Sequence, residues 1–232
     1  IEIFSSPVTA NGIEDKVTLV NRLDLEDYTA GVVEREMPSF FCLEALRAQA
    51  LAARNYTLCH LGRHRADGFD MCATTHCHVY RGVADRYGRP AAAAYSTRGQ
   101  VLVFGGRPVK TFYHSTCGGA TADGLFLEED STAQPYLTGI SDAASQSALL
   151  PANTDPEAFI CGNSDSYCSI SKRYRWKFTL TAHQVDDLVA ANLGNLLGQP
   201  GLNPGRVRAL EVSLRYGPRA RALRVECDKG VY

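Results

Sequence analysis

Residues 31–57 read GVVEREMPSFFCLEALRAQALAARNYT, and this run decides how the chain divides into elements. Pro38 disfavours helical geometry at the residue before it, so a helix starting at Leu25 is predicted to end at Glu36. Asp24 stands where the N-cap of that helix belongs. A longer helix is predicted over 43–61. Laid out at about 100° per residue, Leu43, Leu46, Ala50, Leu51, Ala53, Leu58 and Leu61 fill a broad apolar arc. Ala45, Ala48, Ala52 and Cys59 form a second face, small enough for close packing, so the helix is expected to be nearly all buried. Arg47 and Arg54 project from the arc, and a buried guanidinium must be paired or must reach a cleft. Glu36 falls at a helix terminus beside Met37, Pro38 and the pair Phe40-Phe41. Lost hydration there disfavours the charged carboxylate and suits a proton donor near neutral pH. The plainer alternative is a surface Glu in a helix–helix turn.

The remaining elements are shorter. Residues 16–21 (KVTLVN) alternate as a strand. Residues 90–98 read as a helix with Pro at its start and Gly99 as its stop. A hairpin is predicted over 100–113 around Gly105-Gly106. Residues 138–171, rich in Ser, Ala, Asp, Pro and Asn, read as a linker or long surface loop. A capped helix over 181–194 precedes a second hairpin, 206–213 and 220–226, turning at Gly217-Pro218. Arg206, Arg208, Arg215, Arg219, Arg221 and Arg224 make that hairpin basic, either as a solvated strand face or as a surface for carboxylates. The expected fold class is α+β, with mixed helices and antiparallel hairpins forming two lobes around a substrate cleft. The division placed on the sequence is 1–140, a core, and 141–232, a linker loop followed by a helix and hairpin lobe.

At 232 residues and 45% hydrophobic content the chain can bury a sizeable core. Its formal net charge of -1 gives no reason to expect a nucleic acid partner. No apolar run approaches a membrane span. The sequence begins at Ile1, so a signal peptide or N-terminal anchor is expected to have preceded it, and any membrane attachment would run through that piece. Eight cysteines fit an oxidising compartment or a metal site. Cys161 and Cys168, in a loop rich in Gly, Asn and Ser, are the expected disulfide. Cys42 and Cys59, at opposite ends of one helix, cannot bridge each other.

The 31–57 stretch resembles the SpoIID/LytB family of bacterial cell-wall proteins. The chain supplies Leu25-Glu26-Asp27-Tyr28, Gly31-Val32-Val33, Glu36-Met37-Pro38 and the run from Leu43 to Tyr56 almost letter for letter. Further matches follow in order: Val79-Tyr80-Arg81-Gly82, Thr97-Arg98-Gly99-Gln100-Val101-Leu102, Tyr113-His114-Ser115-Thr116-Cys117-Gly118-Gly119, and Pro135-Tyr136-Leu137. Cys117 departs from the Ser usual in the family. The resemblance implies a lytic transglycosylase acting on peptidoglycan glycan strands, cutting the MurNAc-GlcNAc β-1,4 bond with formation of a 1,6-anhydro ring. It places the acid/base on Glu36. It also implies an exported protein of the cell envelope, in the periplasm or at the septum, with a role in sporulation or division. A second expectation is a wall-binding protein that recruits or stimulates a cell-wall amidase, as the LytB branch does. Longer family members carry a Gly-x-Gly-His-Gly-Val-Gly-Met-Ser-Gln segment near the sugar cleft, which these 232 residues do not contain.

The resemblance places Arg54 near Glu36 or the substrate's lactyl carboxylate, with a structural salt bridge as the alternative. Gln49 is a candidate for an acetamido group, or for satisfying backbone. Tyr80, Tyr113, His114, Ser115 and Thr116 are the remaining candidate sugar contacts. A lytic transglycosylase needs one carboxyl group rather than the usual pair, because the sugar's own hydroxyl is the nucleophile. Asp27 lies on another face of the first helix and is expected to point elsewhere.

A second constellation is HRADGFDMCATTHCH, residues 64–78, with His64, Cys72, His76 and Cys77 and with His78 beside them. Two Cys and two His suffice for a closed tetrahedral zinc site, and family members hold zinc with such a set. A local Cys72–Cys77 disulfide is the alternative. Zinc here would be structural, and the chemistry itself requires no cofactor.

Overall fold

The computed structural model describes residues 2–5, 17–82, 85–124, 134–143, 154–162 and 165–232. The chain forms two compact units, Ile1–Tyr113 and His114–Tyr232, a division earlier than the sequence placed it. Backbone bridges from Ala120 to Ser141 and from Ala143 to Ser166 tie the 114–143 segment into the second unit.

In the first unit β1 (Glu2–Ser5) pairs antiparallel with β2 (Val17–Val20). The helices α1 (Leu25–Glu36), α2 (Leu43–His60) and α3 (Arg89–Ser96) follow. Asp24 caps α1 by accepting from the Glu26 amide at 2.8 Å. Ala30, Val33, Leu46, Ala50, Ala91, Ala93 and Ala94 form the buried core where the three helices meet. So many alanines at the contact let the backbones approach closely. They also limit what is covered: Leu46, Ala50 and Ala53 are buried, but Leu43 is 37% exposed and Leu51 and Leu58 are only half-buried. The expectation of a nearly all-buried α2 is corrected to a single buried stripe.

Arg54 lies within that stripe, 1% exposed. Its Nη2 meets Glu26 Oε2 at 2.5 Å and its Nε meets Oε1 at 3.1 Å. The remaining donors go to Ala94 O at 3.1 Å, Gln100 O at 3.2 Å and Thr97 Oγ1 at 3.4 Å. The guanidinium therefore links all three helices to the turn after α3. Arg47 instead lies at the edge of the packing, on Glu44 and Ser96.

The hairpin after α3 is shorter than its sequence suggests: β3 (Val103–Phe104) and β4 (Arg107–Pro108) pair over two residues each. Asn55 holds it, donating to Leu102 O and Val109 O and accepting from the Leu102 amide, at 2.8, 3.0 and 2.9 Å. Thr111 Oγ1 donates to Ala52 O at 2.6 Å, which fixes the path into Tyr113.

In the second unit the 138–171 stretch is largely irregular where described, with a short helix α4 (Pro156–Cys161) capped by Asp155. Helix α5 (Ala182–Leu196) starts with a Thr181–Gln184 capping box. β5 (Val207–Tyr216) and β6 (Arg219–Cys227) form the second hairpin, with β7 (Gly230–Val231) at the edge of β6. Gly217, at φ 57, supplies the left-handed turn residue that the hairpin requires. Its arginines are not one solvated face. Arg208 pairs with Asp228, Arg224 with Glu211 and Glu226, and Arg219 is half-buried on the carbonyls of Cys117 and Ala120. All eight cysteines are free thiols. The expected Cys161–Cys168 disulfide is corrected, since Cys161 is exposed and Cys168 faces Cys117. Among the described residues no helix is long and apolar enough to cross a membrane.

Candidate functional site

Glu36 is the last residue of α1, where Pro38 has stopped the helix, and it is half-buried. Its Oε1 accepts a hydrogen bond from the Val79 amide at 3.1 Å. The carboxylate is thus aimed by backbone that lies 43 residues away in sequence. Phe40 and Phe41 stack on each other at 5.3 Å, with Phe40 79% exposed, so they do not make the buried wall expected around Glu36. Its aromatic neighbour is instead Tyr113, whose phenol feels the Glu36 charge.

His78 is buried and makes a 3.2 Å contact from Nδ1 to the Tyr28 hydroxyl. The rings of Tyr56 and Tyr113 flank it at 4.6 and 5.9 Å. Burial pushes the His78 imidazole down to about 4, so it is neutral at physiological pH. Burial, and then the neighbouring Glu36 charge, hold the Tyr113 phenol well above its ordinary range. Tyr113 is therefore a neutral hydroxyl beside the carboxylate. Tyr80 packs on Tyr28 at 5.1 Å and crosses α1 at Gly31, where a Cβ would lie 2.5 Å from its Cε2. Glycine at this position is what lets the 79–82 segment press against the helix.

The second part of the site adjoins the first. His64, Cys72, His76 and Cys77 bring four ligand atoms within 4.8 Å of one another. His64 Nε2 lies 3.2 Å from His76 Nδ1 and 3.4 Å from Cys77 Sγ. His76 Nδ1 lies 3.7 Å from Cys72 Sγ and 3.6 Å from Cys77 Sγ. Tetrahedral zinc, with bonds of roughly 2.0–2.1 Å to nitrogen and roughly 2.3 Å to sulfur, has edges of about 3.3 Å for N–N and about 3.6 Å for N–S. The donor set fits. Asp67 Oδ2 accepts a hydrogen bond from His64 Nδ1 at 3.0 Å and turns Nε2 inward, the usual partner of a ligating histidine. The Cys72 thiol is pushed down to about 6: burial opposes this, but hydrogen bonds from Thr74 and then His76 outweigh it. His78 is not part of the set. Asp67 was legible as a carboxylate three residues after His64, whereas nothing in the spacing singled out Tyr28 or Tyr56.

The other candidates divide. Asp27 is engaged with Tyr95 at 2.6 Å and Arg86 at 3.2 Å, away from the Glu36 end of the helix. Arg54 is the structural alternative: it lies in the Glu26 ion pair with each of its donors engaged, and the expectation that it contacts substrate is corrected. Gln49 is buried, and its Nε2 has no partner among the described residues. His114 and Ser115 are exposed, and Thr116 is half-buried, in the irregular stretch that opens the second unit.

The profile of the SpoIID family, "Stage II sporulation protein", matches residues 13–104, the segment that holds Glu36, the His64, Cys72, His76 and Cys77 cluster and the 78–80 contacts. That segment is similar to the SpoIID family. It is 35% identical over 157 residues to an uncharacterized protein of Brachyspira hyodysenteriae, covering 62% of this chain and 42% of that one. It is 29% identical over 151 residues to Stage II sporulation protein D of Bacillus subtilis, covering 59% of this chain and 43% of that one. An amidase enhancer of Bacillus subtilis is 35% identical over 112 residues, 48% of this chain and 15% of its own length. The matched part of this chain thus spans less than half of each of these relatives.

Proposed function

We propose that this chain is a peptidoglycan lytic transglycosylase with Glu36 as its acid and base. The observation that carries the reading is the half-buried Glu36 carboxylate, fixed on the Val79 amide beside the neutral Tyr113 hydroxyl. In the reaction Glu36 protonates the bridging oxygen as the bond to the muramic acid anomeric carbon breaks. It then takes the proton of that sugar's own 6-hydroxyl as the hydroxyl oxygen bonds to the same carbon. The products are a 1,6-anhydro end and a free 4-hydroxyl, no water is consumed, and the carboxyl group ends as it began. One acid suffices, where hydrolases use a pair. Tyr113, Tyr80 and Gln49, whose Nε2 lacks a protein partner, are the sugar contacts we favour in the first unit. His114, Ser115 and Thr116 are candidate sugar contacts of the second unit taken by itself. The exposed Phe40 ring offers an apolar face to a pyranose.

His64, Cys72, His76 and Cys77 would hold zinc in this reading. With four protein ligands such a site is closed and serves structure rather than chemistry. His76 and Cys77 directly precede His78, Val79 and Tyr80, so anchoring them steadies the amide that aims Glu36. Action on wall glycan implies export to the cell envelope.

A second reading, recruitment or stimulation of a wall amidase, is favoured by the amidase enhancer among the relatives. Incubation of purified peptidoglycan with the protein, with mass spectrometry for 1,6-anhydromuramic acid, separates the two. Anhydro product from the protein alone supports the enzyme. Wall binding without product, together with faster stem-peptide release by an added amidase, supports the recruiter.

A further inference from the structure

A second set of soft ligands lies in the second unit, where the family-like segment departs from its usual Ser to Cys117. Cys117 Sγ is 3.4 Å from Cys168 Sγ and 3.3 Å from Asp142 Oδ2, and the three ligand atoms lie within 4.8 Å of one another. We propose that Cys117, Cys168 and Asp142 form a second metal site, for a thiophilic divalent cation such as zinc, with three protein ligands and a fourth position open.

Backbone contacts around these residues hold the three stretches together. Asp142 N donates to Gly119 O and Tyr167 N donates to Asp142 O, both at 3.0 Å. Ala120 bridges to Ser141 and Ala143 to Ser166, one on each side of Asp142. Gly118 and Gly119, at φ 70 and 108, turn the chain just after Cys117, and Arg219 clamps the Cys117 carbonyl at 3.2 Å. Three strands of chain far apart in sequence are thus fixed from outside, leaving their ligand atoms converging on one point.

The carboxylate separates a metal site from an incipient disulfide. Asp142 Oδ2 is oriented by Ser166 Oγ at 2.9 Å and by the Cys168 amide at 3.0 Å, the outer hydrogen bonds that a ligating carboxylate needs. A disulfide would have no use for an acceptor aimed at its sulfur. The edges of 3.4 and 3.3 Å are near the roughly 3.7 and 3.5 Å of tetrahedral zinc bound to two thiolates and a carboxylate oxygen. Two thiolates exclude magnesium and calcium, which take oxygen ligands. Cys117 directly follows Thr116, so the ion would also pin the polar 114–116 stretch. None of this rests on the role given to Glu36.

The test counts metal on the full chain, purified reduced and without chelator, by elemental analysis after zinc loading and gel filtration. The Cys117→Ala and Asp142→Asn variants are expected to carry one zinc fewer per chain than wild type, or to bind the second ion at least tenfold more weakly in a competition titration. Because Cys117→Ala removes a half-buried contact, the His64→Ala/His76→Ala variant is measured as well. It should keep one ion and give a thiolate-to-metal charge-transfer band with cobalt that Cys168→Ala abolishes. Unchanged metal content in Cys117→Ala and Asp142→Asn overturns the proposal. So does a Cys117–Cys168 disulfide found by peptide mapping of protein purified without reductant and loaded with zinc.

Discussion

Replacing Arg54 with methionine keeps most of the stem volume but leaves Glu26 alone in the core. The Glu26 side chain is 8% exposed and that of Arg54 1%, so the remaining carboxylate can reach neither water nor another cation. Among the described residues it would retain only the Gly99 amide, at 3.0 Å from Oε1. Breaking a buried pair by removing one partner costs about 3–5 kcal/mol, because the other charge is stranded. Melting shifts by about 4 °C per kcal/mol for a unit of this size, so Arg54→Met is expected to lower the first transition by about 12–20 °C. Circular dichroism melts of Arg54→Met, Glu26→Leu and the double variant form the assay. The double variant should recover much of the loss, since an apolar replacement of both partners is close to neutral. Two results refute the reasoning: a single-variant loss below about 1 kcal/mol, or strict additivity in the double variant, would mean that the pair is solvated and not structural.

Three further outcomes follow from the packing. Gly31→Ala drives a Cβ to 2.5 Å from the Tyr80 ring and 3.1 Å from Gly82 O, so it should cost about 1–3 kcal/mol in denaturant unfolding. Tyr28 and Tyr113 have folded pKa values raised above the unfolded value, chiefly by burial. The unfolded chain therefore loses those protons first, and stability that is complete below about pH 10 should fall as pH rises further. Tyr113→Phe should make that alkaline decline shallower, and an unchanged slope would contradict the assignment. Chelating zinc loaded onto the His64, Cys72, His76 and Cys77 cluster should speed hydrogen exchange at the Val79 amide while leaving the buried α2 stripe protected. Equal exchange before and after chelation would uncouple the metal from Glu36.

Local signals account for what was legible in the sequence. Asp24 and Pro38 bound α1 as expected, the Thr181–Gln184 box starts α5, and Gly217 turns the second hairpin. The position of Glu36 at a helix end and the grouping of His64, Cys72, His76 and Cys77 were likewise visible, because helix ends and Cys/His clusters are short-range patterns. Longer-range pairings were not. Arg54 and Glu26 are 28 residues apart, and Cys117 and Cys168 are 51 apart, separations at which periodicity carries no information. The breadth of the apolar arc on α2 overstated its burial, because the alanines of α3 cover one stripe only. Phe40 and Phe41 adjoin Glu36 in sequence yet stack outward, while its aromatic neighbour Tyr113 arrives through the hairpin that Asn55 holds.

The most direct test is the yield of 1,6-anhydromuramic acid from purified glycan strands by Glu36→Gln, compared with wild type at equal zinc content and equal melting temperature. Glutamine keeps an acceptor for the Val79 amide but cannot carry the proton, so product should fall by at least about 100-fold. Product at the wild-type level from a folded, metal-loaded Glu36→Gln protein would contradict the account.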